Sequence, residues 1–420
     1  MINNMKDSIN QLIILIFWGC GAICVYFSSY AVAQSLSQDS AGQIFLLQAI
    51  VTTLALVSCF GLNSYLPKLI GGVDTILAVL CEVRVIFLLT MAFSLLLSII
   101  VIFYYFFILS YSIDKIYVSF IIATCIISHS VMVVFSAIFQ SLRKPNYSVF
   151  YLSICQQSFF GGGIYLFNLN EYYEVLICLC VSYVITLLIS FFHLFITERI
   201  LFSSGKEIEY SSGCNKVFDV IPSFFFILLL SVAINQVPLI LSSSIMGMTS
   251  VAAFQVALKL SGLVSIVVTA VNTLVAPVCA SLYTRNDHVS LKKLYLNSTL
   301  FIILITLPVI CVLYLFSGYF MALFGEGYSD YYMFLKVLLI GQIFNVLTGP
   351  VACFLTMMGF YKNIIYSNLI NAIIISFGYF FSLYSESEIY YTFTISIGLA
   401  ISNIFMFLFF ISKIKVIDGR

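Results

Sequence analysis

The 420-residue sequence predicts an all-α polytopic membrane protein of about 12 transmembrane helices, arranged as two six-helix bundles around a central cavity. Three observations carry that prediction. Apolar residues make up 62% of the chain and charged residues only 8%, far from the balance of a soluble domain. Apolar runs recur along the whole length, each near the roughly 20 residues of helix that a hydrocarbon core requires. Lysine and arginine fall almost entirely on one side of the map those runs define.

In chain order, the first-half runs lie near 12–34, 44–66, 85–109, 116–139, 148–168 and 174–197. The leading segment MINNMKDSINQ lacks a strongly basic front, so the first run reads as a retained helix rather than a signal peptide. A polar linker follows, clearest at Glu209–Asn215. The second half offers runs near 218–241, 251–275, 295–317, 331–356, 363–384 and 389–411. The expected domains are therefore an amino-terminal bundle over 1–205 and a carboxy-terminal bundle over 206–420. With the amino terminus inside, 15 of the 18 Lys and Arg fall in cytoplasmic segments, Lys115 falls outside, and Lys259 and Lys336 lie within helices. Both termini are expected to be cytoplasmic.

A weak internal repeat suggests related halves. The segment from Ala41 can be laid on the segment from Val251, with Pro67 and Pro277 each 26 positions after the start and Asn63 and Asn272 shortly before them. Proline within a span removes an amide donor and bends or interrupts the helix. Pro238, just after Asn235 and Gln236, marks an irregular part of the seventh helix on this reading.

The stretch Gly247–Tyr283 organises the candidate site, because it embeds Gln255, Lys259 and Asn272 in an apolar span. A charge at that depth is costly and faces a bundle interior or a water-filled cavity, unless it snorkels to the interface. The candidate substrate-binding set is Lys259, Gln255, Asn272, Asn235, Gln236, Asn63, Arg84 and Arg143. Amides match hydroxyl-bearing ligands and lysine matches an anion as a point charge, whereas any one amide can equally hold helices together. Gln342 and Asn345 belong to the same group of span amides. Arg84 and Arg143 sit near cytoplasmic helix ends, suited to an anionic headgroup or to anchoring.

Other chemistry finds little support. Neither GxxxxGK[ST] nor GxGxxG occurs, and the loop at Glu198–Val217 is too short for a catalytic domain, so no enzyme activity and no cofactor are expected. The 12 cysteines are scattered through apolar runs without metal-site spacing, and His129, His193 and His288 are far apart, so no metal site is expected. His129 reads as a residue that hydrogen-bonds within its bundle. Gly161–Gly163 reads as a bend or close packing site. No nucleic-acid partner is expected.

Three stretches, AGQIFLLQAI with FGLNSYLPKLIG, MGMTSVAAFQVALKLSGLVSIVVTAVNTLVAPVCASLYTRND, and ALFGEGYSDYYMFLKVLLIGQIFNVLTGPVACFLTMMGFYKN, give the chain a family resemblance. It resembles the bacterial polysaccharide-biosynthesis and O-antigen flippases of the multidrug/oligosaccharidyl-lipid/polysaccharide exporter superfamily. The resemblance implies a multi-pass protein of the bacterial inner membrane that moves polyprenyl-diphosphate-linked oligosaccharide units to the outer leaflet for O-antigen or lipopolysaccharide biosynthesis. It also implies contact of Lys259 with diphosphate or acidic sugar, passage of the tail through membrane lipid, a coupling ion, and a polysaccharide polymerase as partner. The alternative is ion-coupled drug or metabolite efflux by a related exporter. A membrane glycan polymerase would favour a large basic outside loop, which is absent from the sequence, and a scaffold would not need Lys259.

Overall fold

The computed structural model describes residues 2–71, 80–107, 113–142, 144–197, 213–385 and 387–418. The described chain is helical throughout: α1 Ile2–Ser35, α2 Gln38–Ser58, α3 Leu62–Gly71, α4 Leu80–Phe107, α5 Ile113–Ser141, α6 Pro145–Val149, a π-helical segment Phe150–Cys155, α7 Gln156–Phe167 and α8 Tyr172–Thr197. The second half continues with α9 Gly213–Asn235, α10 Val237–Ser242, α11 Met248–Thr284, α12 His288–Leu315, α13 Ser317–Ala322, a 3-10 turn Glu326–Tyr331, α14 Tyr332–Leu347, α15 Val351–Met357, α16 Tyr361–Ser385 and α17 Glu388–Asp418.

Eleven of these helices are each long and apolar enough to cross a membrane. The twelfth crossing is the run from α6 through the π segment into α7, helical from Pro145 to Phe167. The chain is thus an all-α polytopic membrane protein, as its sequence predicts. Long apolar side chains left exposed along α4, among them Leu88, Leu95, Leu96, Ile99 and Phe103, supply the surface that lipid covers.

Three predicted spans are not single helices. The second is interrupted after Ser58, where Phe60 at φ 51° and Gly61 at φ 73° turn the backbone left-handed before α3. Gly61 also lies against the backbone of Phe224, so two constraints meet at one position. The seventh is interrupted at Gln236, with Pro238 in the first turn of α10, where its missing amide proton costs nothing. The tenth is interrupted at Thr348–Pro350, with Gly349 at φ 59°. By contrast, α11 runs unbroken through Pro277 to Thr284. The second-span and eighth-span segments that align in sequence therefore differ in local backbone.

The chain divides into two compact units, one of Met1–Gly19, Ser37–Gln43 and Ala233–Arg420, the other of Cys20–Leu36 and Ile44–Val232. The expected domain boundary at 205/206 and the start of the polar linker lie outside the described residues. The second unit is built on α5, which packs on α3, α4, α6 and α8. Its core includes Leu62, Leu66, Ile86, Val134, Phe139 and Leu194. Gly161 lets α7 approach the backbone of Ser28, and Gly163 accommodates the Cys178 thiol, so two of the three consecutive glycines serve close packing within an unbroken helix.

The first unit is built on α11, α14 and α17. Phe254 is fully buried between Phe334, with ring centroids 6.0 Å apart, and Tyr391 at 6.2 Å. The Tyr391 hydroxyl donates to the Pro238 carbonyl at 3.0 Å, securing α10 after the break. Gln38 donates to the Thr249 carbonyl at 3.2 Å, which ties the start of α2 to the start of α11.

Candidate functional site

Helix α11 presents two unlike faces. Ala257, Leu260, Ser261, Val264, Val268, Val271, Val275 and Cys279 recur at helical spacing and are buried against the first unit's own core. Gln255, Lys259, Ser265, Thr269 and Asn272 follow a second stripe, spaced by three to six residues, and remain partly or fully exposed. Polar groups on a membrane helix are costly towards hydrocarbon, so this stripe marks a face turned to water, substrate or protein.

The stripe continues onto α14. Ser265 Oγ donates to Gln342 Oε1 at 3.2 Å, and Asn345 Nδ2 donates to the same oxygen at 3.1 Å. The Asn272 backbone carbonyl accepts from the Cys353 thiol at 3.6 Å, while its side-chain Oδ1 is buried without a hydrogen-bond partner. A buried acceptor of this kind costs about 1–3 kcal/mol. It is the sort of group a bound ligand or water would satisfy.

The remaining sequence-predicted residues are distributed differently. Asn235 is exposed and Gln236 half-buried at the junction of α9 and α10, in the same unit as Lys259. Asn63 lies in α3 of the other unit, with its Oδ1 buried and without a hydrogen-bond partner. Arg84 lies in that unit too, on the wall of a cavity of about 240 Å³ otherwise lined by Val83, Phe87, Leu88, Phe135, Ile138 and Leu194. Arg143 lies outside the described residues. The structure thus sets Gln255, Lys259, Ser265 and Asn272 along one helix, with Gln255 and Asn272 about 25 Å apart at about 1.5 Å per residue, joins Ser265 to Gln342 and Asn345, and places Asn63 and Arg84 in the other unit. Ser265 was missed in the sequence reading; its position ten residues after Gln255, nearly three turns along the same face, was the available signal.

In the second unit the interior is polar in places. Ser58 donates to Ser130 at 2.9 Å, and the His193 Nδ1 meets the Tyr151 hydroxyl at 2.8 Å beneath a stacked Phe139 ring. His129, expected to hydrogen-bond within its bundle, is buried with its Nδ1 unpartnered. Among the described residues no group of three or more His, Cys, Asp or Glu is placed to hold a metal.

Eleven helices of crossing length, with the helical run Pro145–Phe167, make the described chain a multi-pass membrane protein. A family model described as MatE matches residues 222–380. Solved structures agree in fold over nearly the whole chain. An inward-facing multidrug resistance MATE family transporter of the MOP superfamily superposes with TM-score 0.70 at 14% identity, covering 95% of this chain and 96% of that one. A MATE transporter in complex with MaL6 gives 0.66 at 16% identity, covering 99% and 97%. A MOP superfamily transporter from Pyrococcus furiosus Vc1 (DSM3638), described as having a binding pocket of reverse polarity that suggests a different function, gives 0.67 at 15% identity, covering 97% and 95%. No curated protein matches the sequence. Over nearly its whole length the chain therefore has the fold of these transporters.

These comparisons correct the flippase resemblance. The matched family model is MatE and the similar solved structures described above are MATE or MOP transporters, so polyprenyl-diphosphate-linked oligosaccharide as substrate, a polysaccharide polymerase as partner, and a role in O-antigen or lipopolysaccharide biosynthesis are all withdrawn. The physical reason is that helix order and loop patterns report the bundle plan, which the exporter branches share. A diphosphate also calls for several convergent cations, whereas the described α11 stripe carries only Lys259.

Proposed function

We propose that the protein is an ion-coupled exporter of small amphipathic drugs or metabolites in the bacterial inner membrane, with both termini cytoplasmic. The observation that carries the substrate reading is the α11 stripe, in which Lys259 is the charged residue among Gln255, Ser265, Thr269 and Asn272. Lys259, Gln255 and Asn272 contact the substrate, with Gln342 and Asn345 extending the polar surface and Asn235 and Gln236 lying at the α9–α10 break. A lysine on such a stripe disfavours cationic ligands and suits neutral or anionic ones. The pocket of reverse polarity described for the Pyrococcus furiosus transporter supports looking beyond cations. Asn63, Arg84 and Arg143 serve access and orientation on the cytoplasmic side.

The test is transport by purified protein in proteoliposomes, with ethidium and the anionic dye Lucifer yellow as probes and with proton or sodium gradients imposed in turn. Gradient-dependent accumulation of Lucifer yellow above that of protein-free vesicles is expected. Equal dye movement with and without protein, for both dyes under every gradient, would sink the efflux reading. Reporter fusions at each terminus test the cytoplasmic orientation.

A further inference from the structure

Ion coupling requires a group inside the membrane that binds the ion, and the described helices restrict the choice. Every Asp and Glu within them lies in the first or last two turns, including Asp39, Glu82, Asp114, Glu174 and Asp219. Among the described residues the carboxylates thus lie at span ends, Glu82 being buried there with its Oε2 unpartnered. Away from the helix ends the basic groups are Lys259 on the α11 stripe and His129 in the other unit.

His129 lies about 24 Å along α5 from Ile113 and about 18 Å from Ser141, at about 1.5 Å per residue, which puts it near mid-membrane. It is more than nine-tenths buried and its Nδ1 has no hydrogen-bond partner. The Tyr183 ring from α8 packs edge-on against the imidazole, with centroids 5.0 Å apart. The Tyr183 hydroxyl approaches Thr52 of α2. One turn before His129, the Cys125 thiol pairs with Cys180 of α8. Beyond α2, Cys59 donates weakly to the neighbouring Ser130 carbonyl at 3.8 Å. Of the other titratable groups on packed elements, Tyr65 of α3, Glu82 and Arg84 of α4, Tyr147, Tyr151 and Cys155 of α6 and the π segment, and His193 of α8 gather towards the Ser141 end of α5, while Tyr104 of α4 and Glu174 of α8 lie near the opposite ends of their helices. An imidazole without a countercharge or a partner for one ring nitrogen is a poor structural choice.

We infer that His129 is the coupling-proton site of the second unit, so that the ion driving export is a proton carried by an imidazole. This rests on the efflux reading for its role in transport. The step is a proton transfer alone: the lone pair of the unprotonated ring nitrogen takes a proton from water at one membrane face, and the imidazolium returns it at the other. No bond to substrate forms.

Nitrogen-15 spectra of histidine-labelled protein in nanodiscs test the site without any substrate. Only three histidines contribute, and the signal lost in H129Q assigns His129. The His129 signal is expected to move from neutral to protonated shifts as the pH is lowered over the range in which the protein stays folded. A signal that stays neutral throughout that titration overturns the proposal, whether or not any dye is transported. In proteoliposomes, H129Q is expected to lose at least tenfold of the Lucifer yellow accumulation driven by a pH gradient while keeping downhill dye movement. Undiminished pH-driven accumulation in H129Q overturns it too. Absence of transport by the unaltered protein sinks the efflux reading and leaves the spectra to decide the proton site.

Discussion

Ser265 and Asn345 share one acceptor, with Ser265 Oγ 3.2 Å and Asn345 Nδ2 3.1 Å from Gln342 Oε1, so a single amide oxygen joins α11 to α14. Gln342→Leu strands both donors and is expected to cost about 1–2 kcal/mol, whereas Ser265→Ala removes one of two and costs under about 1 kcal/mol. Thermal unfolding in detergent measures both, and equal losses would refute the shared-acceptor account.

Lys259→Gln keeps a polar, hydrogen-bonding side chain and removes the charge. Lucifer yellow transport is expected to fall about tenfold or more, in keeping with the loss of one charge-assisted hydrogen bond of about 1.5–3 kcal/mol, while Lys259→Arg retains part of it. Unchanged transport of anionic and neutral probes in the Gln variant would remove Lys259 from the binding surface.

Gly341 sits where α14 crosses α17, and a methyl group there would come within 2.9 Å of the Ser396 Cα. Alanine normally favours a helix over glycine by about 1 kcal/mol. Here the backbone contact decides the sign, and Gly341→Ala is expected to lower stability by about 1–3 kcal/mol as overpacking does. A higher melting temperature for the variant would show the crossing to be looser than described.

Asp287 caps α12 by accepting from the Ser290 backbone N–H at 3.0 Å, and that hydrogen bond holds its carboxyl below the usual carboxylate range. A depressed folded value means that the contribution is complete above the unfolded value near about 3.9 and is lost as pH falls through the folded one. Hydrogen exchange at the first turn of α12 should therefore quicken on acidification below about pH 4. Asp287→Asn, which still caps, should remove that acid dependence.

Much of this architecture was legible in the sequence because a bilayer demands long apolar runs, and eleven of the predicted spans correspond to helices of crossing length. Interruptions were legible only where proline announced them. Pro238 beside Asn235 and Gln236 marked the α9–α10 break, yet Pro277 leaves α11 intact, and the Phe60–Gly61 turn is set by the approach of Phe224, a partner far away in sequence. Within the site, Gln255, Lys259 and Asn272 could be placed on one helix by counting. That Arg84 lines a different, apolar cavity depends on α5 and α8 packing against α4, which no local pattern reveals. The exporter branch was not legible because helix order and loop patterns report a bundle plan that the branches share.

The π segment Phe150–Cys155 works as a phase shifter. Its wider winding rotates everything after it relative to the helix before it, by up to about 100° for one added residue. With that rotation Tyr151 points to His193 while Gly161, three turns on, points to Ser28. Deleting one residue between 150 and 155 would restore regular winding, yet it would turn one of those two faces away from its neighbour. Length in this stretch is therefore held by geometry at both ends, and a residue there is harder to lose than to exchange.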